Sequence, residues 1–159
     1  MKKNIIPLIL LLLLSCGNEK RLTLLTDGNE MLDSCIRAND FTIICYIDSA
    51  DCTFCSIQWL DFWTYRESEL EKLKTGIVLI VDNTDEEEVY DALSLLQRKY
   101  PVVFDKSSTL KKNNAFILNQ YSVFAVNKEK EAVWLDSPIE NENTWNLFSK
   151  KLRRLSRPK

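Results

Sequence analysis

The sequence contains no histidine and only three glycines among its 159 residues. Without an imidazole the chain cannot build a Ser-His-Asp or Cys-His catalytic arrangement, and it lacks the commonest ligand of catalytic zinc sites. The glycines form neither GxGxxG nor GxxxxGK[ST], so nucleotide chemistry on a phosphate-binding loop is not expected. Any nucleophile must therefore be activated by helix position or burial, and we predict no cofactor and no metal site.

Charge and length narrow the class of protein further. A net charge of −2 argues against a nucleic-acid-binding surface, because such surfaces are strongly basic. With 45% hydrophobic and 28% charged residues, the chain has a globular composition and the length of one domain with its own core. No internal repeat or low-complexity linker divides it.

The first residues have the pattern of a targeting segment. Lys2 and Lys3 precede an apolar run, residues 5–14, that is too short to remain as a membrane-spanning helix. The run ends in Leu-Leu-Ser-Cys, which resembles the bacterial lipobox, with Cys16 as the cysteine that becomes lipidated. We predict a signal peptide over residues 1–15 and a lipidated tether over 16–21. The alternative is ordinary signal cleavage that leaves Cys16 as a free thiol.

Lipidation would fix the compartment and the anchor. Several acyl chains, palmitate among them, would hold Cys16 stably in a membrane and remove it from disulfide chemistry. The protein would then lie in the cell envelope, facing the periplasm or the cell surface, where thiols tend to be oxidised. Four cysteines remain for the body of the protein.

A pair of cysteines lies where a strand is expected to pass into a helix. Residues 41–47 are apolar and β-branched, as in a buried strand, and turn-forming residues follow them. Cys52-Thr53-Phe54-Cys55 comes next, and residues 56–63 carry their apolar side chains at helical spacing. A helix N-terminus stabilises negative charge, so Cys52 is expected to have a lowered pKa and to act as the nucleophile. Cys55, one turn on, is expected to resolve the mixed disulfide.

Two other readings of the pair remain open. A structural zinc half-site would need two more ligands, and Cys35 and Cys45 fit the interior of a helix and of a strand instead. The two thiols could also be unremarkable. Asp51 opposes the activation of Cys52, because a neighbouring carboxylate raises the pKa of a thiol unless it turns away to cap the helix.

The order strand, Cys-x-x-Cys, helix resembles the thioredoxin superfamily. Ser49-Ala50-Asp51-Cys52 before Cys55 is similar to the small lipid-anchored thioredoxin-like proteins (redoxin or TlpA type) of Bacteroidetes-type bacteria. The resemblance implies an α/β fold, a three-layer sandwich with a central mixed β-sheet flanked by helices. The domain would span residues 22–155, with a basic tail over 156–159.

The elements expected along the domain fit this order. Strands are predicted at 22–25, 41–47, 77–81 and within 100–105, and a closing hairpin at 122–126 and 132–135. Helices are predicted at 29–37, from the cysteine pair to about 73, from the acidic run at 85, at 107–114 and at 141–155.

The chain departs from the superfamily pattern beside the cysteines. Tyr121 lies where thioredoxins carry the cis-proline that docks substrate, and Tyr46 lies where many carry a buried acid. Asp48 could replace that acid, although a solvated carboxylate at the strand end is the plainer interpretation. Thr53 and Phe54, between the cysteines, would tune the reduction potential together with Asp51.

Three further features have a structural interpretation and an alternative. Trp59, Phe62 and Trp63 are expected to fill the core, with a peptide-binding surface as the alternative. Cys35 and Cys45 are expected to be core thiols, with a structural disulfide as the alternative. Basic residues near the C-terminus are expected to complement a helix dipole, with contact to anionic lipid as the alternative; they are Lys150, Lys151, Arg153, Arg154, Arg157 and Lys159.

These observations support two hypotheses of function. The first is a lipid-anchored thiol-disulfide oxidoreductase that acts through Cys52 and Cys55 on exported protein or small-molecule disulfides, with a membrane redox partner possible. The second is a non-catalytic thioredoxin-like binding module in which the pair is a permanent structural disulfide; the missing cis-proline and buried acid favour it.

Overall fold

A five-stranded mixed sheet organises the protein in a computed structural model, which describes residues 22–82, 85–96, 98–119 and 121–157. Its spatial order is β3-β2-β1-β4-β5, with β1, β2 and β3 parallel and the last two strands antiparallel to their neighbours. The strands are β1 (Phe41–Ile47), β2 (Thr75–Val81), β3 (Val102–Phe104), β4 (Val123–Asn127) and β5 (Ala132–Leu135).

The two longest strands, β1 and β2, lie inside the sheet because their sequences are predominantly apolar. Every residue of β1 is buried, and Ile43 and Cys45 pair with Ile77 and Leu79 of β2. A strand with no polar face is stable only where helices cover both sides of the sheet. The unbroken apolar runs thus explain the layered architecture.

The helices begin at side-chain caps that the sequence supplies. Asn29, Asp85 and Asn141 each accept a hydrogen bond from a backbone N–H in the first turn of the helix that follows, at 2.9 to 3.1 Å. The helices are α1 (Glu30–Ala38), α2 (Thr53–Gln58), a 3₁₀ helix (Trp59–Arg66), α3 (Glu67–Lys72), α4 (Glu86–Ser94), α5 (Thr109–Asn113), α6 (Ala115–Leu118) and α7 (Glu142–Leu155).

The sheet separates two hydrophobic cores. On one face, side chains from α2, the 3₁₀ helix, α3, α4 and α7 pack around Ile43 and Leu79. On the other face, α1, α5 and α6 pack around Ile44 and Ile80. Alternation along β1 and β2 sends successive side chains to opposite cores. The predicted three-layer α/β sandwich is confirmed.

The first predicted strand, residues 22–25, is wrong. Only an isolated bridge forms there, between Thr23 and Glu131, flanked by hydrogen bonds from Ala132 N–H to the Leu22 carbonyl and from Leu24 N–H to the Lys130 carbonyl. This segment lies beside the tight turn of the β4–β5 hairpin, which offers too few backbone partners for a strand. The other predicted elements are present with shifted ends.

The sequence segments that lie outside the described ranges include the predicted signal peptide, Cys16 and the tether. Lys159 also lies outside them. None of the helices in the described ranges is both long and apolar enough to span a bilayer.

Candidate active site

Cys52 and Cys55 form a disulfide at the start of α2, with their Cα atoms 5.3 Å apart. Both residues are exposed. Cys52 is the N-cap residue, and its Sγ accepts a hydrogen bond of 3.2 Å from the Cys55 backbone N–H. The predicted juxtaposition of the two sulfurs is confirmed. The sulfur of Cys52 takes the place that a serine or aspartate oxygen usually occupies, so a negative charge on it would lie against the free N–H groups of the first turn.

The turn before the disulfide is organised by Asp48. Its side chain accepts a hydrogen bond from Ala50 N–H at 3.1 Å, and its carbonyl accepts one from Asp51 N–H at 2.9 Å. Asp51 itself precedes the N-cap and is exposed, so it does not occupy the capping position. Thr53 and Phe54 are the first two residues of α2.

Lys111 on α5 forms an ion pair with Asp48, which the sequence reasoning did not anticipate. Both side chains are about a quarter exposed, at 29% and 26%. The hydrogen bond from Lys111 holds the pKa of Asp48 below its ordinary value, and Asp48 correspondingly raises the pKa of Lys111. Asp48 is therefore a half-buried, ionised partner of a lysine and not a solvated strand end. No local signal links the two residues, because they are 63 positions apart in the sequence.

Tyr46, at the position of the buried acid, points away from the active-site helix. Its hydroxyl donates to Asp105 at 3.0 Å, in the core on the α1 side of the sheet. Burial raises the pKa of Tyr46, and the nearby Asp105 carboxylate adds to the effect. Asp105 also accepts hydrogen bonds from the backbone N–H groups of Leu110 and Lys111, at 3.1 Å each, which fixes the start of α5.

Tyr121 lies directly before the residue that starts the β4 pairing. The Ser122 carbonyl accepts a hydrogen bond of 2.7 Å from Tyr46 N–H. The described residues contain no cis peptide bond. The place that would hold a cis-proline is thus occupied by a half-buried tyrosine in the described chain.

A groove of about 550 Å³ runs beside the disulfide. The neighbours of both cysteines, Asp51 and Ser56, line it. Its other walls come from the 3₁₀ helix, from the start of β4 and from the loop before α7; they include Trp59, Phe62, Ser122, Val123, Ile139 and Glu140. The surface is mainly apolar, with carboxylates at two places on its rim.

Trp59 and Phe62 are surface residues, so their predicted role as core filling is wrong. Trp59 is 67% exposed and Phe62 is 52% exposed, whereas Trp63 is 3% exposed and fills the core as predicted. The two exposed rings contact each other, with centroids 5.1 Å apart. Their exposure places a large aromatic surface at the side of the groove.

The 3₁₀ geometry explains this error. With three residues per turn, side chains at i, i+3 and i+6 fall on one line. The inner row of this helical run, Ile57, Leu60 and Trp63, is buried against the sheet. The outer row, Trp59, Phe62 and Tyr65, is exposed. In the sequence, the apolar residues of each row are three positions apart, and this spacing is the pattern that indicates a 3₁₀ helix.

The two remaining cysteines are free thiols that lie in different cores. Cys35 packs in the α1 core and Cys45 packs in the core beneath α2, with the sheet between them. The alternative of a Cys35–Cys45 disulfide is therefore wrong. Cys45 borders the groove, and burial raises its pKa to about 12, so it stays protonated and unreactive at neutral pH.

Comparison with known proteins shows the fold. No family sequence model matches the chain, and no curated protein matches it in sequence. Solved structures share its fold. A thioredoxin domain of a thiol-disulfide oxidoreductase from Bacteroides vulgatus superposes with a TM-score of 0.53 at 12% identity, covering 79% of this chain and 84% of that one.

Two further solved structures have the same fold as this chain. A peroxidoxin from Mycobacterium tuberculosis has a TM-score of 0.58 at 10% identity, with 79% of this chain and 86% of that chain covered. A protein described as thiol:disulfide interchange protein DsbE, from Chlorobium tepidum, has a TM-score of 0.55 at 11% identity, with 73% and 82% covered. The chain therefore has a thioredoxin-like fold of the kind found in thiol-disulfide oxidoreductases, and it carries a Cys52–Cys55 disulfide within that fold.

Proposed function

We propose that this protein is a thiol-disulfide oxidoreductase of the bacterial cell envelope, anchored through a lipidated Cys16. The observation that carries the catalytic part is the exposed Cys52–Cys55 disulfide, in which the Cys55 N–H donates to the Cys52 sulfur. A buried structural disulfide would need neither solvent access nor such a donor. The anchor rests on the sequence of the first 16 residues.

The chemistry follows from this geometry in the reduced protein. The Cys52 thiolate attacks one sulfur of a substrate disulfide, so that a mixed disulfide forms and one substrate thiolate leaves. Cys55 then loses its proton and attacks the Cys52 sulfur. The second substrate thiol leaves, the Cys52–Cys55 disulfide closes, and two electrons have passed to the substrate. The reverse sequence oxidises a substrate dithiol, and a dithiol or disulfide partner in the membrane would reset the pair.

The groove suggests which exported disulfides fit. Trp59 and Phe62 offer aromatic faces to an apolar side chain near the substrate cysteine. Asp51 and Glu140 on the rim favour a substrate segment with a positive charge. A protein disulfide within an apolar and basic segment is the expected substrate, whereas a small disulfide would use the cysteines alone.

Insulin reduction by the full chain tests the catalytic proposal. Cys52→Ser should lose essentially all activity, because it removes the sulfur at the start of α2 that begins the attack and leaves Cys55 without a partner with which to close the disulfide. Cys35→Ser is the matched control, since Cys35 is a half-buried thiol in the opposite core, and it should keep full activity.

Equal activity in Cys52→Ser and in the unmodified protein would reject the proposal. The non-catalytic module with a permanent disulfide predicts that result, together with a reduction potential far below that of the glutathione pool. A readily reduced and exchanging Cys52–Cys55 pair would exclude that alternative.

A further inference from the structure

The two ends of the sheet differ in charge, because acidic residues outnumber basic ones at one end and basic residues outnumber acidic ones at the other. The carboxyl ends of β1, β2 and β3 meet at one end, with the disulfide. We call this the disulfide pole. The acidic residues that follow strands or begin helices there are Asp48, Asp51, Asp82, Asp85, Glu86, Glu87, Glu88, Asp105, Asp136, Glu140 and Glu142.

The opposite end of the sheet, which we call the basic pole, carries cations. A groove of about 760 Å³ joins the start of β1, the β4–β5 turn and the end of α7. Lys128, Lys151, Arg154 and Arg157 line this groove. From residue 143 to the end of the sequence there are six basic residues, at 150, 151, 153, 154, 157 and 159, and no Asp or Glu.

Two of the acidic side chains that line the basic groove, Asp40 and Glu131, have cationic or amide partners, and Glu129 lines the groove beside them. Lys128 binds Asp40 at 2.8 Å, and this ion pair holds the pKa of Asp40 below its ordinary value. Glu131 accepts a hydrogen bond from the Asn127 side-chain amide at 3.2 Å. The last turns of α7 contain basic residues and no acidic ones, so they add positive charge to the basic pole.

The N-terminal segment enters the domain at this same pole. The Leu22 carbonyl accepts a hydrogen bond from Ala132, and Thr23 bridges to Glu131; both partners line the basic groove. Six residue steps connect Cys16 to Leu22, and even a fully extended chain of that length spans only about 20 Å. An anchor at Cys16 would therefore keep the basic pole close to the lipid surface.

We propose that the basic pole binds the anionic surface of the membrane and holds the disulfide pole away from it. This rests on the anchoring part of the proposed function. Phosphate headgroups attract the basic residues at short range and repel the acidic disulfide pole. The seven residues of β1 separate the two poles by about 23 Å, so the disulfide faces the aqueous compartment and its substrates.

Lysine footprinting of the full lipidated chain on vesicles tests this orientation. A membrane-impermeant acylating reagent is applied to protein inserted into preformed vesicles of phosphatidylcholine, or of phosphatidylcholine with about 30% phosphatidylglycerol. Modification of Lys128 and Lys150 should fall at least about threefold on the anionic vesicles and recover at about 0.5 M NaCl. Lys106 and Lys112, at the disulfide pole, should be modified equally on both.

Charge-neutral variants make the test specific. A chain with Lys150→Gln, Arg154→Gln and Arg157→Gln should lose the protection of Lys128 on anionic vesicles and keep its insulin-reducing activity in solution. A chain with Lys106→Gln and Lys112→Gln should keep the protection. Circular dichroism of each variant establishes that the fold is intact.

The outcomes separate this proposal from the proposed function. Equal modification of Lys128 and Lys150 on both kinds of vesicle, with acylated Cys16 found by mass spectrometry, would overturn the orientation alone. Unmodified Cys16 would overturn the anchor and the orientation with it. Cys52→Ser should orient as the unmodified chain does, because membrane contact does not depend on disulfide exchange.

Discussion

The inner row and the outer row alternate along one helical run after the disulfide, yet they face different environments. Ile57, Leu60 and Trp63 are closed into the core, whereas Trp59, Phe62 and Tyr65 are exposed. The inner row gives the run its stability through burial of apolar surface. The outer row buries much less of its surface, and its first two members line the groove. Under the proposed function, stability would rest mainly on the inner row and contact with substrate mainly on the outer row.

The largest effect should come from the inner row. Leu60→Ala removes a side chain that is 3% exposed and should lower the free energy of unfolding by about 2 to 5 kcal/mol. Tyr65→Ala, in the exposed row, should change it by less than about 0.5 kcal/mol. Urea denaturation of the oxidised proteins measures both, and similar values for the two variants would contradict the division into rows.

The second largest effect is expected in the outer row, on the KM for a protein substrate. Trp59→Ala removes an aromatic wall of the groove and should raise the KM for insulin about tenfold, which corresponds to about 1.4 kcal/mol. The rate at which the variant reduces a small aliphatic disulfide should be unchanged, because such a substrate would use the cysteines alone. Tyr65→Ala is the control, because Tyr65 belongs to the same row but does not line the groove; an equal rise in KM for both would assign the effect to general surface change.

The two carboxylates before the disulfide extend the comparison, because one is paired and the other is exposed. Asp48→Asn breaks the ion pair with Lys111 and should lower stability at pH 7 by about 0.5 to 1 kcal/mol. The pKa of Asp48 is lowered in the folded state, so its contribution is present above the unfolded value near about 3.9 and is lost as the pH falls through the folded pKa. Unfolding curves of the variant and the unmodified protein should therefore converge in acid, and a constant difference down to low pH would contradict this.

The smallest effect on stability should come from Asp51→Asn, which should change it by less than about 0.5 kcal/mol. In the reduced protein it removes a negative charge beside Cys52 and should lower the pKa of that thiol. Alkylation of Cys52 just below neutral pH should consequently be faster in the variant. Glu140→Gln, on the far rim of the groove, is the control and should leave the alkylation rate unchanged.

The elements that the sequence predicts correctly are each marked by a pattern within a short stretch of the chain. The apolar runs of β1 and β2, and the acidic or capped starts of α4 and α7, are each visible within about ten residues. The Cys52–Cys55 disulfide belongs to this group, because three residues of helix bring the sulfurs together whatever the rest of the chain does.

The errors have a different origin. An α-helix with 3.6 residues per turn would place Trp59 and Phe62 in the core. Residues 59–66 form a 3₁₀ helix with three residues per turn, which turns both side chains outward. The Asp48–Lys111 ion pair depends on how distant elements pack, and no pattern within either segment predicts it. The segment at 22–25 has the composition of a strand but finds only the turn of a hairpin beside it.

The sheet also bears on how the chain would acquire its disulfide in an oxidising compartment. The four cysteines of the predicted domain, out of five in the chain, can pair in three complete ways in the unfolded state, of which only one retains the observed bond between residues three apart. In the folded chain Cys35 and Cys45 lie on opposite sides of the sheet, so neither thiol can reach the other. The fold itself thus leaves the exposed Cys52–Cys55 bond as the disulfide of the described chain and keeps Cys35 and Cys45 as two separate thiols.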